Sequence, residues 1–313
     1  MQFNYGIVST AAITKRFIGA VRECKGVVVA AASRSLTKAK EFCLENKIPK
    51  AYGTYEELYK DPKVSIVYIA TNNGTHVQEI NNALKAGKHV LCEKPIALSK
   101  KDAAEVFTAA KAKGLFLMEM QKSVFLPVTN LIKYCISSGH LGKLHQIEMS
   151  ASFKSPKAPW MHDPKQGGVV YGSASYTIEY LDYLISPKNT QVRACASKES
   201  SGTVDAVSIN LKMDQVLISS HITMRADSVS RAVFYFEHGK IEVPDYWKAT
   251  KCVIEMPDGT SEKEFPVEYE MQFEVGHVQD CLEQGMIQSP IMTKKRSILC
   301  CSIVDEIFHN IDA

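Results

Sequence analysis

A lysine at the end of a short apolar run is the residue of this chain best placed to do chemistry. The run His89-Val90-Leu91-Cys92 is typical of a buried strand, and Glu93-Lys94-Pro95 follows it. Proline cannot donate to a sheet, and it pushes the preceding residue towards extended geometry, so Lys94 should be held in a defined conformation. Ligands of open α/β sheets bind at such strand ends. Lys94 could therefore anchor a substrate oxygen or move a proton; a solvated lysine paired with Glu93 is the alternative.

A second stretch suited to ligand binding is Gly6-Ile7-Val8-Ser9-Thr10-Ala11-Ala12-Ile13-Thr14. It stands where a dinucleotide-binding fold carries three glycines between its first strand and first helix, and here Ser9, Ala11 and Thr14 take their places. N–H groups at the start of the helix would still favour a phosphate, and the Ser9 and Thr10 hydroxyls add donors. An ordinary strand–helix turn without a ligand is the alternative. The candidate cofactor-binding residues are Ser9, Thr10, Ala11, Ala12 and Ile13.

The residues after the second predicted strand favour NADP over NAD. NAD-binding folds usually place Asp or Glu there to hold the ribose 2′-hydroxyl. This chain has Ala32-Ser33-Arg34-Ser35 instead, followed by Lys38. A guanidinium offers a fork of donors that fits a 2′-phosphate, which an acid would repel. We therefore predict NADP as the cofactor, held by Ser33, Arg34 and Lys38, with NAD less favoured; a solvated arginine on a loop is the alternative.

These residues need a sheet that brings strand ends together, and the first third of the chain predicts one. Short, almost entirely apolar runs alternate with stretches of helical periodicity. That alternation is typical of a doubly wound parallel sheet covered on both faces, which is the Rossmann pattern. The predicted strands are 3–9, 27–32, 66–70, 90–92 and 115–119, and the predicted helices are 11–21, 35–45, 75–86 and 100–113.

After residue 127 the pattern becomes that of a second α/β domain. Turn signals recur between β-type segments over 190–267, which is typical of antiparallel hairpins. We predict a Rossmann domain at 1–120 and a substrate-binding α/β domain at 121–313. The other predicted elements are helices at 127–138, 173–185, 273–284 and 293–311, a strand at 144–153, and a loop at 155–168.

Composition excludes several classes of protein. The chain has 313 residues, 45% of them apolar and 23% charged, as in an ordinary globular protein. A net charge of +3 gives no reason to expect a nucleic acid or a membrane as partner. No apolar run is long enough to span a bilayer, and the N-terminus shows no secretory pattern. The nine cysteines form no C-x-x-C pair and no zinc spacing, so we expect free thiols, a cytoplasmic location and no metal.

Four motifs, in order along the chain, together carry a resemblance to a known family. They are Gly6-Ile7-Val8, Ala32-Ser33-Arg34, Ile69-Ala70-Thr71-Asn72-Asn73-Gly74-Thr75-His76 and Cys92-Glu93-Lys94-Pro95. The set resembles the Gfo/Idh/MocA oxidoreductase family over about residues 1–185, and more generally beyond. The stretches 48–58 and 114–119 are similar to its trans-1,2-dihydrobenzene-1,2-diol dehydrogenase-like branch.

The resemblance implies a fold and a set of site residues. It implies a Rossmann domain followed by an α/β domain with a large open, mostly antiparallel sheet, through which a homodimer or homotetramer would form. It implies that Lys94 lies beside the nicotinamide and the substrate, and that Tyr176, after the turn at Gly167-Gly168, takes the catalytic position. The other cofactor-binding residues that it implies are Thr71, Asn72, Asn73, His76 and Glu93; for His76, a purely structural role is the alternative.

The chemistry of the pair Lys94 and Tyr176 agrees with hydride transfer at a carbon that bears oxygen. A phenol has a pKa near ~10, and a nearby ammonium lowers it towards a working range. Tyr176 would then act as acid and base, unless it is only an aromatic residue packed under the sheet. We predict an NADP-dependent dehydrogenase or reductase that acts on CH–OH groups of a sugar, polyol, diol or similar small molecule. A dinucleotide-binding sensor without turnover is the alternative.

Some positions depart from the pattern of the family. Gly172 stands where an aspartate is common, four residues before the catalytic position. Lys122 and Val124 replace a Trp and an Arg of the dihydrodiol branch. Lys122 is either a second cation in the substrate pocket or a surface charge at the start of a helix. Trp160 and Asp163, in the loop before Gly167, either form a substrate wall that binds hydroxyls or pack the loop down.

Overall fold

The computed structural model describes residues 2–153 and 158–312, and the chain divides into two compact units. The first unit comprises the residues up to Gln121 together with Tyr269–Ile298, and the second comprises Lys122–Glu268 together with the residues from Leu299 onward. The predicted division at 120/121 had assigned 269–298 to the C-terminal domain. Those residues belong instead to the first unit, because their helix packs on its first helix. Part of the predicted loop 155–168, at 155–157, lies outside the described residues.

The first unit is built on a six-stranded parallel sheet in the order β3-β2-β1-β4-β5-β6. This is the doubly wound Rossmann order, as predicted. Its strands are β1 (Asn4–Val8), β2 (Val27–Ala32), β3 (Lys50–Tyr52), β4 (Ile66–Ile69), β5 (His89–Glu93) and β6 (Leu117–Met120). Its helices are α1 (Ile13–Glu23), α2 (Leu36–Glu45), α3 (Tyr55–Lys60), α4 (His76–Lys85), α5 (Lys100–Ala112) and α8 (Gln272–Glu283).

An aromatic stack fixes α1 against this sheet. Phe17 of α1 lies parallel to Tyr68 of β4, with ring centroids 3.7 Å apart, and meets the edge of Tyr5 of β1 at 5.7 Å. All three side chains are fully buried. Their large buried area holds the start of α1 beside the ends of β1 and β4, where the candidate cofactor residues lie.

The second unit is built on an eight-stranded open sheet in the order β14-β13-β12-β11-β7-β10-β9-β8. Among these strands the neighbours are antiparallel except β7 and β10, which are parallel. The strands are β7 (Leu144–Ser152), β8 (Thr190–Lys198), β9 (Val204–Met213), β10 (Val216–Thr223), β11 (Arg231–Phe236), β12 (Gly239–Pro244), β13 (Lys251–Met256) and β14 (Gly259–Glu264).

Helices cover one face of that sheet. Of these, α7 (Gly168–Ile185) packs against both β9 and β10, and α6 (Pro127–Ser138) packs against α7. The last helix, α9 (Lys294–Asp312), runs from the residues of the first unit into those of the second. None of the helices in the described part of the chain is long and apolar enough to cross a membrane.

Candidate functional site

The carboxyl ends of the parallel strands collect most of the predicted cofactor residues. β1 lies between β2 and β4, so the chain order reverses on either side of it, and such a reversal opens a crevice for a ligand. The turns after β1, β2, β4 and β5 leave the sheet at this same edge, because parallel strands end together. The predicted residues from Ser9 to Lys94 follow these four strands.

The turn after β1 has the geometry of a glycine turn without the glycine. Ser9 adopts φ 103°, in the region that favours glycine, at the position of the first fingerprint glycine. Its N–H donates to the Ala32 carbonyl at 3.0 Å, and its Oγ accepts from the Ala11 N–H at 3.2 Å. A non-glycine residue in such a conformation costs about 1–3 kcal/mol, which these bonds help to offset. The degraded motif therefore still makes the tight turn.

The start of α1 keeps the properties of a phosphate site. The N-cap is Ala12, which has no polar side chain, and the first turn of the helix contains no acidic residue. Thr14 is buried, and its hydroxyl donates to the Ala11 carbonyl at 2.6 Å, so it closes the turn inward. The backbone N–H groups and the dipole at this helix start therefore fit the pyrophosphate of a dinucleotide.

The residues after β2 form a basic group around the start of α2. Ser33 is buried, and its Oγ is 3.4 Å from the Ser35 N–H; Ser35 caps α2 by accepting from the Lys38 N–H. Arg34 and Lys38 are exposed. Arg34 lies close enough to Tyr55 that its charge lowers the pKa of that phenol, against burial, which raises it more. Two cations and a helix start form a donor set that fits a 2′-phosphate.

The turn after β4 and the start of α4 contain four predicted residues, of which Thr71 and Asn72 are accessible and Asn73 and His76 are buried. Asn73 is buried at the start of a short 3₁₀ helix, Asn73–Thr75, while Thr71 and Asn72 are more exposed. The Thr75 hydroxyl bonds the Thr71 hydroxyl at 2.8 Å, which ties the two ends of the turn together. Thr71, Asn72 and Asn73 therefore remain candidates for contact with a cofactor.

His76 corrects one part of the prediction, because it cannot present its ring to a ligand. The side chain is fully buried, with Nδ1 2.8 Å from the Pro95 carbonyl oxygen and Nε2 3.1 Å from the Thr71 carbonyl oxygen. Burial lowers the pKa of His76, and the charge of Lys94 lowers it further. The neutral ring has one N–H, which donates to one of these two carbonyl oxygens, so the ring is held between the backbones of two loops. His76 is a support behind the site rather than a cofactor contact.

Lys94 directly follows β5 and is half-buried, and its peptide bond to Pro95 is cis. The residue before it is anchored, since the Tyr68 hydroxyl donates to Glu93 Oε1 at 2.6 Å. The residue two places after it is anchored as well, since the Ile96 N–H donates to Glu119 Oε1 at 2.9 Å. Glu119 was not predicted, although a lone acid in the apolar strand β6 was a signal for it.

In the second unit, a glycine pair sets the start of α7. A Cβ on Gly167 would lie 2.2 Å from the Trp160 carbonyl oxygen, and Gly168 has φ +74° with Val204 O 2.5 Å from its would-be Cβ. Only glycine fits at such approaches. Because this turn leads straight into helix, α7 begins at Gly168 rather than at the predicted 173, and it carries Tyr176 two turns along.

Tyr176 lies half-buried within a group of aromatic and basic side chains of the second unit. Lys122 Nζ is 5.8 Å from the centroid of its ring, and the ring of Trp247 is 6.3 Å away. Trp247 in turn packs on Phe153 at 5.3 Å. Lys122 is 5% exposed, which excludes the surface-charge alternative. Trp247 and Phe153 were not predicted, because nothing in their local sequence pattern links them to Tyr176.

Asp163 and Trp160 lie in the segment that leads to the glycine pair. Both carboxylate oxygens of Asp163 accept hydrogen bonds from within that segment. Oδ1 accepts from the Lys165 N–H at 3.0 Å, and Oδ2 accepts from Gln166 Nε2 at 2.7 Å. These bonds lower the pKa of Asp163. The contacts favour the alternative in which Asp163 packs the loop. Trp160, in the 3₁₀ helix Pro159–His162, is half-exposed and is still available as a wall.

Comparison with known proteins places the chain in a family. Residues 3–121 match the model of an oxidoreductase family with an NAD-binding Rossmann fold, and residues 129–242 match a GFO/IDH/MocA C-terminal domain. The trans-1,2-dihydrobenzene-1,2-diol dehydrogenase of Xenopus tropicalis is 30% identical over 99% of this chain and 98% of its own. The chain belongs to the GFO/IDH/MocA oxidoreductase family. It is an NAD(P)-dependent oxidoreductase that transfers hydride between a nicotinamide and a small-molecule substrate.

Other members are similar to this chain over nearly their whole length. The human trans-1,2-dihydrobenzene-1,2-diol dehydrogenase is 29% identical over 98% of this chain and 96% of its own. A 3-ketoreductase from Actinomadura kijaniata, solved with TDP-benzene and NADP, has a TM-score of 0.89 at 21% identity, with 99% and 98% of the two chains covered. A levoglucosan dehydrogenase, solved with NADH and levoglucosan, has a TM-score of 0.89 at 18% identity, with 100% and 98% covered. The two structures share the fold with this member of the GFO/IDH/MocA family.

One departure from the GFO/IDH/MocA pattern has a packing explanation. A Cβ on Gly172 would lie 3.0 Å from the methyl group and 3.3 Å from the sulfur of Met161. The thioether thus occupies the space next to a position where an aspartate is common in the family. Met161 is buried and flexible, so it fills this gap with an apolar group. Among the described residues, no group of three or more His, Cys, Asp or Glu side chains is arranged to hold a metal ion.

Proposed function

We propose that this oxidoreductase is an NADP-dependent dehydrogenase or reductase that acts on a CH–OH or carbonyl carbon of a sugar, polyol, diol or similar molecule. The observation that carries the proposal is Lys94, a half-buried cation at the carboxyl end of β5, anchored on both sides along the chain. When bound, the nicotinamide donates or accepts the hydride. The protein has to move the matching proton at the substrate oxygen.

Lys94 and Tyr176 are the residues that we assign to this proton. The ammonium of Lys94 binds the substrate oxygen and stabilises the negative charge that develops there. The hydroxyl of Tyr176 gives or takes the proton. Lys122, buried 5.8 Å from the Tyr176 ring, favours a negative charge on the phenol oxygen.

The preference for NADP rests on the residues after β2. Arg34 and Lys38 would hold a 2′-phosphate together with Ser33 and the start of α2, in place of the acid that NAD requires. Ser9 to Ile13 would hold the pyrophosphate, and Thr71, Asn72 and Asn73 would line the crevice beside it. Glu93 acts through Tyr68, by fixing the backbone before Lys94.

The aromatic group of the second unit suits a substrate with an apolar ring face. Trp247 and Trp160 would form its wall, with Phe153 behind Trp247. Relatives are named for a dihydrobenzene diol and for levoglucosan, both small cyclic molecules with hydroxyl groups. We propose a substrate of the same kind. Lys122 replaces the Trp of the dihydrodiol branch, so the ring is expected to be more polar than that diol.

We also propose a cytoplasmic homodimer or homotetramer that assembles through the uncovered face of the second unit's sheet. All nine cysteines are free thiols, which supports a location in a reducing compartment. One face of β10 packs on α7 through residues such as Ser220, while the other face exposes Leu217. The resemblance to the family, whose open sheet commonly forms the dimer interface, supports assembly through this face.

The experiment that tests the function is a substrate screen with a matched pair of variants. Sugars, inositols, diols and dicarbonyls are offered with NADP or NADPH, and absorbance of NADPH reports turnover. For any substrate found, Tyr176→Phe should lower kcat by about 100-fold or more. Tyr171→Phe, on the same helix and packed on Phe308, should not. Binding of NADP without turnover of any class of compound would favour the sensor alternative.

A further inference from the structure

The peptide between Pro95 and Ile96, next to Lys94, is held at both of its polar groups by buried side chains. The Pro95 carbonyl oxygen is 2.8 Å from His76 Nδ1, and the Ile96 N–H donates to Glu119 Oε1 at 2.9 Å. His76 begins α4, and Glu119 lies in β6, so the two groups come from different elements of the first unit. The backbone after Lys94 is thus fixed from two directions.

Burial of the Glu119 carboxylate at this position is energetically unfavourable. Glu119 is 1% exposed and lies opposite Cys92 in the register of β5 and β6, within an otherwise apolar strand. Burial raises the pKa of the Cys92 thiol, and the charges of Glu119 and Glu93 raise it further. A carboxyl group in such surroundings costs free energy that an apolar residue of similar size would not. A contribution to stability alone therefore does not account for Glu119. Its hydrogen bond to the Ile96 N–H indicates a role in fixing the backbone there.

The chain on the other side of Lys94 is anchored independently. Glu93 accepts from the Tyr68 hydroxyl at 2.6 Å, and Tyr68 is itself stacked on Phe17. With residue 93 tied to β4 and residue 96 tied to β6, the backbone of Lys94 has little freedom to turn. The direction in which its side chain leaves the sheet edge is then set by these two anchors.

We propose that Glu119 is a positioning residue, which fixes the Ile96 N–H and thereby the direction in which Lys94 presents its ammonium at the end of β5. The proposal rests on the catalytic role proposed for Lys94. Loss of the Glu119 acceptor releases the Ile96 N–H, while the Pro95 carbonyl keeps its contact with His76. A displacement of the ammonium by about 1 Å is enough to lower turnover by about 100-fold.

The first test detects a change in the position of the Lys94 side chain by NMR and needs no measurement of turnover. Lysines are labelled by reductive ¹³C-methylation, and the resonance of Lys94 is identified by its absence in Lys94→Arg. In Glu119→Leu this resonance should shift or split into several, and in Glu119→Gln, whose amide oxygen still accepts from Ile96, it should stay. Glu79→Leu is the matched control, because Glu79 is also a buried carboxylate of the first unit but accepts from Tyr59. It should lower Tm without moving the Lys94 resonance.

The second test reads turnover with a substrate from the screen. Glu119→Leu should lower kcat by about tenfold or more while the KM for NADP stays within about threefold, and Glu119→Gln should restore most of the loss. An unmoved Lys94 resonance in folded Glu119→Leu would overturn the proposal. If Glu119→Leu does not fold, Glu119→Met replaces it, and failure of both beside a folded Glu119→Gln would make Glu119 structural and also overturn it. A resonance that moves as expected, in a protein whose Lys94→Ala variant keeps full turnover, would refute the catalytic role of Lys94 instead.

Discussion

Among the residues proposed to hold a 2′-phosphate, Arg34 offers the most direct test of the preference for NADP. It is exposed beside the start of α2, where an NAD-binding protein would carry an acid. A hydrogen bond to a charged group contributes about 1.5–3 kcal/mol. Arg34→Ala should therefore raise the Kd for NADP by about tenfold or more and change that for NAD much less, as measured by titration calorimetry.

The control for this change is Arg22→Ala, in the same unit, whose guanidinium bonds the Asn46 carbonyl. It should leave both dissociation constants unchanged. An NADP affinity that survives Arg34→Ala, or a wild-type protein that binds NAD equally well, would refute the preference for NADP.

At the level of residues, Lys94 could be singled out because Pro95 marks the backbone that holds it, whereas Tyr176 was singled out by the resemblance to the family. Their catalytic roles stay predictions. Glu119 had a usable signal as the one acid of an apolar strand, but Trp247 had none, because its contacts with Tyr176 and Phe153 join residues far apart in the chain. His76 has the right type for a ligand contact, but burial between two backbone carbonyls gives it another task.

At the level of elements, the turn before α7 should tolerate substitution poorly, because its two glycines lie against backbone atoms. Gly167→Ala would place a Cβ 2.2 Å from the Trp160 carbonyl oxygen, which is backbone and cannot move freely. We expect a loss of about 2 kcal/mol or more and a fall in Tm of about 5 °C, measured by scanning calorimetry. Gly276→Ala, inside α8 with only Cys24 Sγ at 3.8 Å, should be neutral or slightly stabilising. Equal effects of the two changes would contradict this reading of the turn.

Protonation of His89, the first residue of β5, should lower the stability of the protein at acid pH. The Nδ1 of His89 accepts from the Phe116 N–H at 3.0 Å, and burial lowers the pKa of His89. The unfolded chain takes up this proton near pH ~6.5, but the folded protein resists it, so the stabilisation is complete above that pH and is lost as pH falls through the lowered folded pKa. His89→Asn, whose amide oxygen can accept but does not titrate, should therefore show a smaller fall in Tm between about pH 7.5 and 5.5 than the wild type. A fall of the same size in both proteins would show that His89 does not contribute.

Most elements could be predicted because their apolar periodicity is strong. The predicted α2 agrees closely with the observed helix, and the predicted α6 matches it, since a Ser35 cap and Pro127 at the first turn mark their starts. β3 was missed because it has three residues and no buried run. α3 was missed although Thr54 and Glu57 form a capping box, which was a usable signal. The parallel pairing of β7 with β10 has no local signal at all.

At the level of the whole molecule, the uncovered sheet face should determine assembly. Leu217 on β10 is 58% exposed, an unusual fraction for a large apolar side chain at the middle of a sheet. Leu217→Lys should shift the protein towards monomers in sedimentation velocity at micromolar concentration. Leu44→Lys, at a site on α2 that is 84% exposed, should leave the sedimentation coefficient unchanged. A wild-type monomer would refute assembly through this face.

The two-domain α/β architecture follows from pattern and length, because a parallel sheet and antiparallel hairpins leave different sequence signatures. The allocation of 269–298 to the first unit does not, since α8 carries no sign of the surface on which it packs. That surface involves contacts such as the bond of Gln279 Nε2 to the Tyr5 hydroxyl, 274 residues away in the chain.

The most direct measurement of the catalytic role of Lys94 compares Lys94→Ala with the wild type in two assays. One assay follows turnover of a substrate from the screen, and the other follows NADPH binding by its fluorescence. Turnover should fall by about 100-fold or more, while the Kd for NADPH should stay within about fivefold, because the ammonium acts on the reacting oxygen rather than on the bulk of the cofactor. A variant that turns over at the wild-type rate would contradict the assignment of Lys94 to the chemical step.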